Sequence, residues 1–205
     1  MFRSRRDAGE KLGHACAHFK EKNAVVLAIP RGGVEVGYYV AQSIKAEFST
    51  IITRKLPLPD QPEAGFGAIA EDGSSYIVDE IAASLPETVI DKIKTTQIKE
   101  IERRKKVLRS DRPLPSLKDK TVILVDDGIA TGSTMGASVM LCKNAGAARV
   151  VVAAPISGPR VALKMGSEAD EVIILEKPSN FRAVAQGYET WYDVSDQEAL
   201  DLIEQ

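Results

Sequence analysis

The sequence is short of cysteine: Cys16 and Cys142 are the only two in 205 residues, they stand far apart, and they form no CxxC pair. A disulfide framework and a CxxC metal or redox site are thereby excluded, and two lone thiols fit buried packing in a reducing cytoplasm. Surplus charge is lacking too. Lys and Arg number 27 against 29 Asp and Glu, a net −2, so nothing global draws the chain to nucleic acid or to a membrane surface. No apolar run approaches the roughly 20 residues of a membrane span. The opening Met-Phe-Arg-Ser-Arg-Arg-Asp has basic residues with no apolar stretch behind them, and is not expected to be a secretory signal. Internal repeats and low-complexity segments are also missing. What the chain has is 44% apolar residues at a length suited to a single domain, 1–205.

The most informative stretch is residues 122–134, Val-Ile-Leu-Val-Asp-Asp-Gly-Ile-Ala-Thr-Gly-Ser-Thr. Val122 to Val125 read as a buried parallel strand that stops at Asp126 and Asp127. A loop of small residues follows, then a helical pattern led by Met135, Val139 and Cys142. Strand, tight loop and helix are the parts of a phosphate site. The loop N–H groups and the unpaired first N–H groups of the helix point at one place, and the helix dipole favours an anion there. Gly128, Ile129, Ala130, Thr131, Gly132, Ser133 and Thr134 make up this cradle. Gly132 lets the backbone approach closely, and Thr131, Ser133 and Thr134 add hydroxyl donors. The loop lacks lysine and arginine, so the cradle is neutral. Carboxylates beside a phosphate repel it, so Asp126 and Asp127 are expected to face something else: a sugar diol, or a magnesium ion bound to the same ligand. A phosphate and a diol a sugar's width apart describe a ribose 5-phosphate. The plainer alternative is Asp127 as a helix cap, which needs one acid and not two.

Five apolar runs, near 24–29, 48–53, 121–126, 149–154 and 171–175, read as strands alternating with helices, which argues for a doubly wound parallel sheet. Helices are expected at 4–20, after Gly33, at 86–109, near 159–167 and close to the C-terminus. His14 and His18 lie four apart, but no further ligand cluster accompanies them, and they read as solvated. The first strand ends in Pro30-Arg31-Gly32-Gly33, a second strand–loop–helix unit. Ligands of open α/β sheets bind outside the carboxyl ends of the strands, so two such loops can meet across one ligand. The second strand ends at Arg54-Lys55. Residues 56–65, Leu-Pro-Leu-Pro-Asp-Gln-Pro-Glu-Ala-Gly, then read as loop, and 67–79 as a β-hairpin turning at Asp72-Gly73. Arg103 to Lys106 read as a solvated helix face, with a basic arm toward the ligand as the sharper option. Phe181, Tyr188, Trp191 and Tyr192 make the last part of the chain its most aromatic; Phe181 either stacks on a nucleobase or packs as core.

Taken together, these residues resemble the type I phosphoribosyltransferases. The thirteen positions 122–134 are similar to that family's phosphoribosyl-diphosphate (PRPP) motif, and Arg5-Arg6-Asp7-Ala8-Gly9, Pro30-Arg31-Gly32-Gly33, Arg54-Lys55-Leu56-Pro57 and the run from Phe181 to Tyr188 are similar to a cytoplasmic branch of it. The resemblance implies an α/β fold with a five-stranded doubly wound parallel sheet, a small hood and a mobile loop. The core would span about 24–176, and the N-terminal helix and segment 177–205 would form the hood. It implies transfer of a 5-phosphoribosyl group from PRPP to a nitrogenous base with release of pyrophosphate, in nucleotide salvage. Asp126 and Asp127 would be the catalytic pair that holds the ribose hydroxyls, with Mg²⁺ reaching them mostly through those hydroxyls and the pyrophosphate. The loop Gly128–Thr134 would hold the 5-phosphate. Pro30, Arg31, Gly32 and Gly33 would form a pyrophosphate loop, often built on a cis peptide, with Arg54 and Lys55 reaching the same group. Phe181 would close a base pocket. Partners would be PRPP and a small base, with no membrane and no nucleic acid; a homodimer stays open.

One position departs from part of the family. Hypoxanthine–guanine enzymes carry a further Asp three places after the second acid, where this chain has Ala130, a pattern closer to adenine phosphoribosyltransferases. That weighs against a 6-oxopurine acceptor without naming adenine. The competing class is a regulator that senses PRPP or a nucleotide on the same fold. Against it stand the lack of a helix-turn-helix extension and of net basic charge.

Overall fold

The computed structural model describes residues 1–205, apart from the side chain of Glu63. In chain order its elements are α1 (Arg5–Ala15), β1 (Ala24–Ala28), α2 (Gly32–Ile44), β2 (Glu47–Thr50), β3 (Thr53–Leu58), β4 (Gln61–Ala70), β5 (Ser75–Ile77), α3 (Asp79–Ala82), α4 (Glu87–Arg109), β6 (Thr121–Val125), α5 (Ser133–Asn144), β7 (Arg149–Ile156), α6 (Pro159–Glu168), β8 (Glu171–Glu176) and α7 (Asp196–Ile203).

Five of the strands form one parallel sheet in the order β2-β1-β6-β7-β8. Its central strands β1 and β6 are apolar apart from Thr121 at one end, because both faces are covered. On one face Val25, Leu27, Val122 and Leu124 pack with Met135 and Leu141 of α5 and Met165 of α6. On the other, Val26, Ile123, Val125 and Val151 pack with Leu12 of α1 and Val36 and Val40 of α2. The two-residue period of a strand sends alternate side chains to these two layers. Cys16 and Cys142 are buried free thiols, one in each layer. The small residues Gly9 and Gly13 bring α1 close to α2, since a Cβ on them would fall 2.9 Å from Tyr39 Cβ and 2.6 Å from Ser43 Cβ.

Neighbouring strands β1 and β6 send their chains to helices on opposite faces of the sheet, α2 and α5. Between them lies the topological switch point, where ligands of such sheets bind.

The region after the second strand differs from expectation. That strand is shorter than 48–53, ending at Thr50, and residues 56–65 are not a plain loop. They belong to an antiparallel sheet β3-β4-β5, in which Thr53 pairs with Ala70 and Lys55 with Ala68. Three prolines in this stretch argued for loop. They are accommodated because Pro57 sits at a register shift of the outer strand β3, Pro59 lies in the turn between the strands and Pro62 is the second residue of β4, outside the paired positions. The hairpin turning at Asp72-Gly73 is present as β4–β5. The N-terminal helix stops at Ala15 and not at 20, followed by a single 3₁₀ turn, Ala17–Phe19.

Candidate functional site

β6 ends at Val125, and the two acids follow at once. The Asp127 N–H donates to Asp126 Oδ1 at 2.8 Å, which turns the strand end into the loop. The loop is pinned to β7: the Ile129 N–H donates to the Ile156 carbonyl at 2.9 Å, and Ser157 Oγ donates to the Ile129 carbonyl at 3.0 Å. Gly132 then adopts φ 83°, a left-handed turn that favours glycine, and α5 begins at Ser133. The first N–H groups of α5 have no partner within their own helix. Asp126 and the loop Gly128–Thr134 line one cavity of about 260 Å³, together with Lys55, Gly65 and Gly67 of the antiparallel sheet.

The loop after β1 closes on the same place. A Cβ on Gly32 would lie 1.8 Å from Asp127 Oδ2, and one on Gly33 would lie 2.9 Å from the Asp126 Cα. Only glycine lets the two loops meet this closely. The Pro30–Arg31 peptide bond is cis.

Burial, followed by the neighbouring Asp127, pushes the Asp126 carboxyl well above the usual carboxylate range. Burial also raises Asp127, and the Arg5 guanidinium opposes the rise. Asp127 is 9% exposed, with Oδ2 accepting from Arg5 Nε at 2.9 Å and its carbonyl from Tyr188 Oη at 2.5 Å. Paired carboxylates next to a row of backbone donors can accept hydroxyl hydrogen bonds beside a place suited to an anion.

The phosphoribosyl transferase domain model matches residues 4–188 of the chain. The chain belongs to this family. It is 37% identical over 206 residues to a Mycobacterium tuberculosis protein named as a putative phosphoribosyl transferase. That match takes in all of this chain but 46% of the relative, so the chain spans about half the length of the curated relatives it matches. The crystal structure of TT1426 from Thermus thermophilus superposes with a TM-score of 0.83 at 33% identity, covering 98% of this chain and 97% of that one. A protein from Neisseria gonorrhoeae with bound ppGpp shares the fold alone, at 12% identity and a TM-score of 0.51 over 100% of this chain and 97% of its own.

Within this phosphoribosyl transferase domain the expected site residues fall into two groups. Asp126, Asp127, Gly128 to Thr134, Gly32, Gly33 and Lys55 come together around the cavity and its rim. The side chains of Arg54, Arg31 and Phe181 point elsewhere, while Pro30 stays in the backbone of the loop after β1. Arg54 alternates with Lys55 along β3, so it faces α4, where its Nε donates to Gln97 Oε1 at 3.0 Å. Burial, and then repulsion from Arg104, hold its pKa below the ordinary value. Arg31 Nη1 lies 3.5 Å from Asp196 Oδ1 at the start of α7. Phe181 packs on the cluster of Phe2, Ala8, Ile156 and Tyr188. Of the basic cluster, Arg103 pairs with Glu100 and Asp196 at the surface, whereas Arg104 is buried against Glu100.

Sequence reading missed Arg5 and Tyr188. Arg5 lies in the recognised Arg-Arg-Asp-Ala-Gly run, but helix periodicity carries no signal that one of its two arginines turns inward to an acid far along the chain.

Proposed function

We propose that the chain transfers the 5-phosphoribosyl group of PRPP to a nitrogenous base with release of pyrophosphate, in nucleotide salvage in the cytoplasm. One observation carries the reading: the neutral backbone cradle Gly128–Thr134 and the carboxylate of Asp126 line the same small cavity at the switch point of the sheet, with Lys55 on its rim. The 5-phosphate takes the loop and helix N–H groups. Asp126 and Asp127 accept the ribose hydroxyls, and their negative charge stabilises the oxocarbenium character that C1 gains as its bond to pyrophosphate breaks. Pyrophosphate leaves with the bonding electron pair, and the acceptor nitrogen supplies the new bond to C1. Lys55, which lines the cavity, and the backbone of Gly32 and Gly33 would receive the leaving group, with little covalent work left for the protein beyond positioning.

Magnesium fits this donor set. Among the described residues no group of three or more His, Cys, Asp or Glu could enclose a metal, and Asp126 offers one carboxylate on the cavity wall. That suits an ion that keeps its waters and reaches the protein through one or two carboxylates and the substrate's own oxygens. When bound, it would neutralise charge on the pyrophosphate.

The ppGpp bound by the Neisseria protein supports a second reading, a nucleotide-binding regulator on this fold. A pyrophosphate-release screen with PRPP, Mg²⁺ and a panel of bases separates the two. Release with one base class supports the transferase; PRPP binding without release by any base supports the regulator.

A further inference from the structure

Arg5 stands 122 residues before Asp127, yet the two side chains are buried against one another. Arg5 Nε donates to Asp127 Oδ2 at 2.9 Å, its Nη1 donates to the Tyr192 carbonyl at 3.0 Å, and its guanidinium lies 4.1 Å from the centre of the Trp191 ring. One planar cation thus grips the PRPP motif and the C-terminal segment together. A lysine, with a single point charge, could not make both bonds and the stacking contact. Gly32 closes the other side of the same oxygen, with room for no more than a hydrogen. Asp127 Oδ2 is therefore fully engaged by the protein, and Oδ1 is the oxygen left to the site.

We propose that Arg5 is a positioning residue. It fixes the Asp127 carboxylate so that Oδ1 meets a sugar hydroxyl, and it ties occupation of that oxygen to the C-terminal segment at Trp191. Two adjacent carboxylates repel each other, and without a cation on one of them the pair would spread or take up a proton. Arg5 offsets one charge, holds the rotamer and leaves the motif's other acid, Asp126, to face the cavity. The inference rests on the sugar-phosphate reading of this site.

Trp191 is the chain's one tryptophan, so its fluorescence, excited apart from the tyrosines, reports the surroundings of this ring, Arg5 and Tyr188 among them. The test titrates inorganic phosphate and ribose 5-phosphate separately into the parent, Arg5→Lys, Arg5→Gln, Asp127→Asn and the Arg5→Gln/Asp127→Asn double variant. Phosphate uses the cradle only; ribose 5-phosphate adds the diol. Arg5→Gln is expected to weaken ribose 5-phosphate by about tenfold, the size of one charge-assisted hydrogen bond, with phosphate affinity hardly moved. Arg5→Lys, which keeps the charge and the fold, should fall between. The change in Trp191 emission that ribose 5-phosphate causes in the parent should vanish in Arg5→Gln. On top of Asp127→Asn, Arg5→Gln should add no further loss. Equal losses for both ligands in Arg5→Gln and Arg5→Lys would reduce Arg5 to a structural role, and additive losses in the double variant would show that it does not act through Asp127; either overturns the inference alone. A parent that binds ribose 5-phosphate no more tightly than phosphate overturns the sugar reading beneath it.

Discussion

Gly32 and Asp127 belong to different loops, yet a Cβ on Gly32 would stand 1.8 Å from Asp127 Oδ2. That oxygen cannot swing aside, because Arg5 holds it. Gly32→Ala must therefore displace the loop or break the ion pair. Overpacking of this kind typically costs about 1–3 kcal/mol. Gly166→Ala is the control: nothing lies within 4 Å of its Cβ position in α6, and exchanging glycine for alanine inside a helix gains roughly 0.5–1 kcal/mol. Denaturant unfolding should move the two variants in opposite directions, and PRPP should protect only the second.

The two acids should respond differently to loss of charge. Read from the sequence, Asp126→Asn and Asp127→Asn would both leave the melting temperature near that of the parent. The structure separates them. Asp127→Asn weakens a buried charge-assisted bond to Arg5, worth about 1.5–3 kcal/mol, so this variant should melt earlier. Asp126 has a folded pKa raised above its unfolded value, so ionising it costs folding energy once pH climbs past the unfolded value. Asp126→Asn removes that cost. Its melting temperature at neutral pH should match or exceed that of the parent, while protection by PRPP with Mg²⁺ disappears. Melting curves from pH 4 to 8 decide this; an Asp126→Asn protein that melts well below the parent would contradict it.

Acid should unfold the N-terminal helix region by way of Asp7. Its hydrogen bond to Lys11, aided by those from Arg3, holds the carboxyl down to about 2 in spite of its burial. A depressed folded pKa stabilises the protein above the unfolded value of 3.8, and that contribution fades as pH falls from there toward about 2. Asp7→Asn should be less stable than the parent at pH 6 and should lose less on acidification through this window. Parallel curves for the two proteins would assign the acid sensitivity elsewhere.

Ligand protection should depend on the divalent ion. The cradle is neutral, and Lys55 is the one cation lining the cavity among the described residues, so the pyrophosphate end of PRPP has little protein charge to meet. The rise in melting temperature caused by PRPP should collapse in EDTA, whereas the smaller rise caused by inorganic phosphate should persist. Equal protection by PRPP with and without Mg²⁺ would remove the ion from the account.

Local pattern determined a good deal of this protein. The central strands β1 and β6 are near-continuous apolar runs, and the cradle with its two acids is contiguous from Val122 to Thr134, so neither needs long-range information to be read. Tertiary structure decided the rest. Pro57, Pro59 and Pro62 carry a strong local turn signal, but Pro57 is absorbed at a register shift of the outer strand, Pro59 lies in the turn and Pro62 sits near the start of β4, so only pairing with residues 61–70 reveals the hairpin. Arg54 and Lys55 look equivalent in sequence, while the alternation of β3 sends one to Gln97 on α4 and the other to the cavity. The partnership of Arg5 with Asp127 joins residues 122 positions apart. It exists because α1 packs on α2 beside the switch point of the sheet, a juxtaposition created by burial of apolar faces and written in no single stretch of chain.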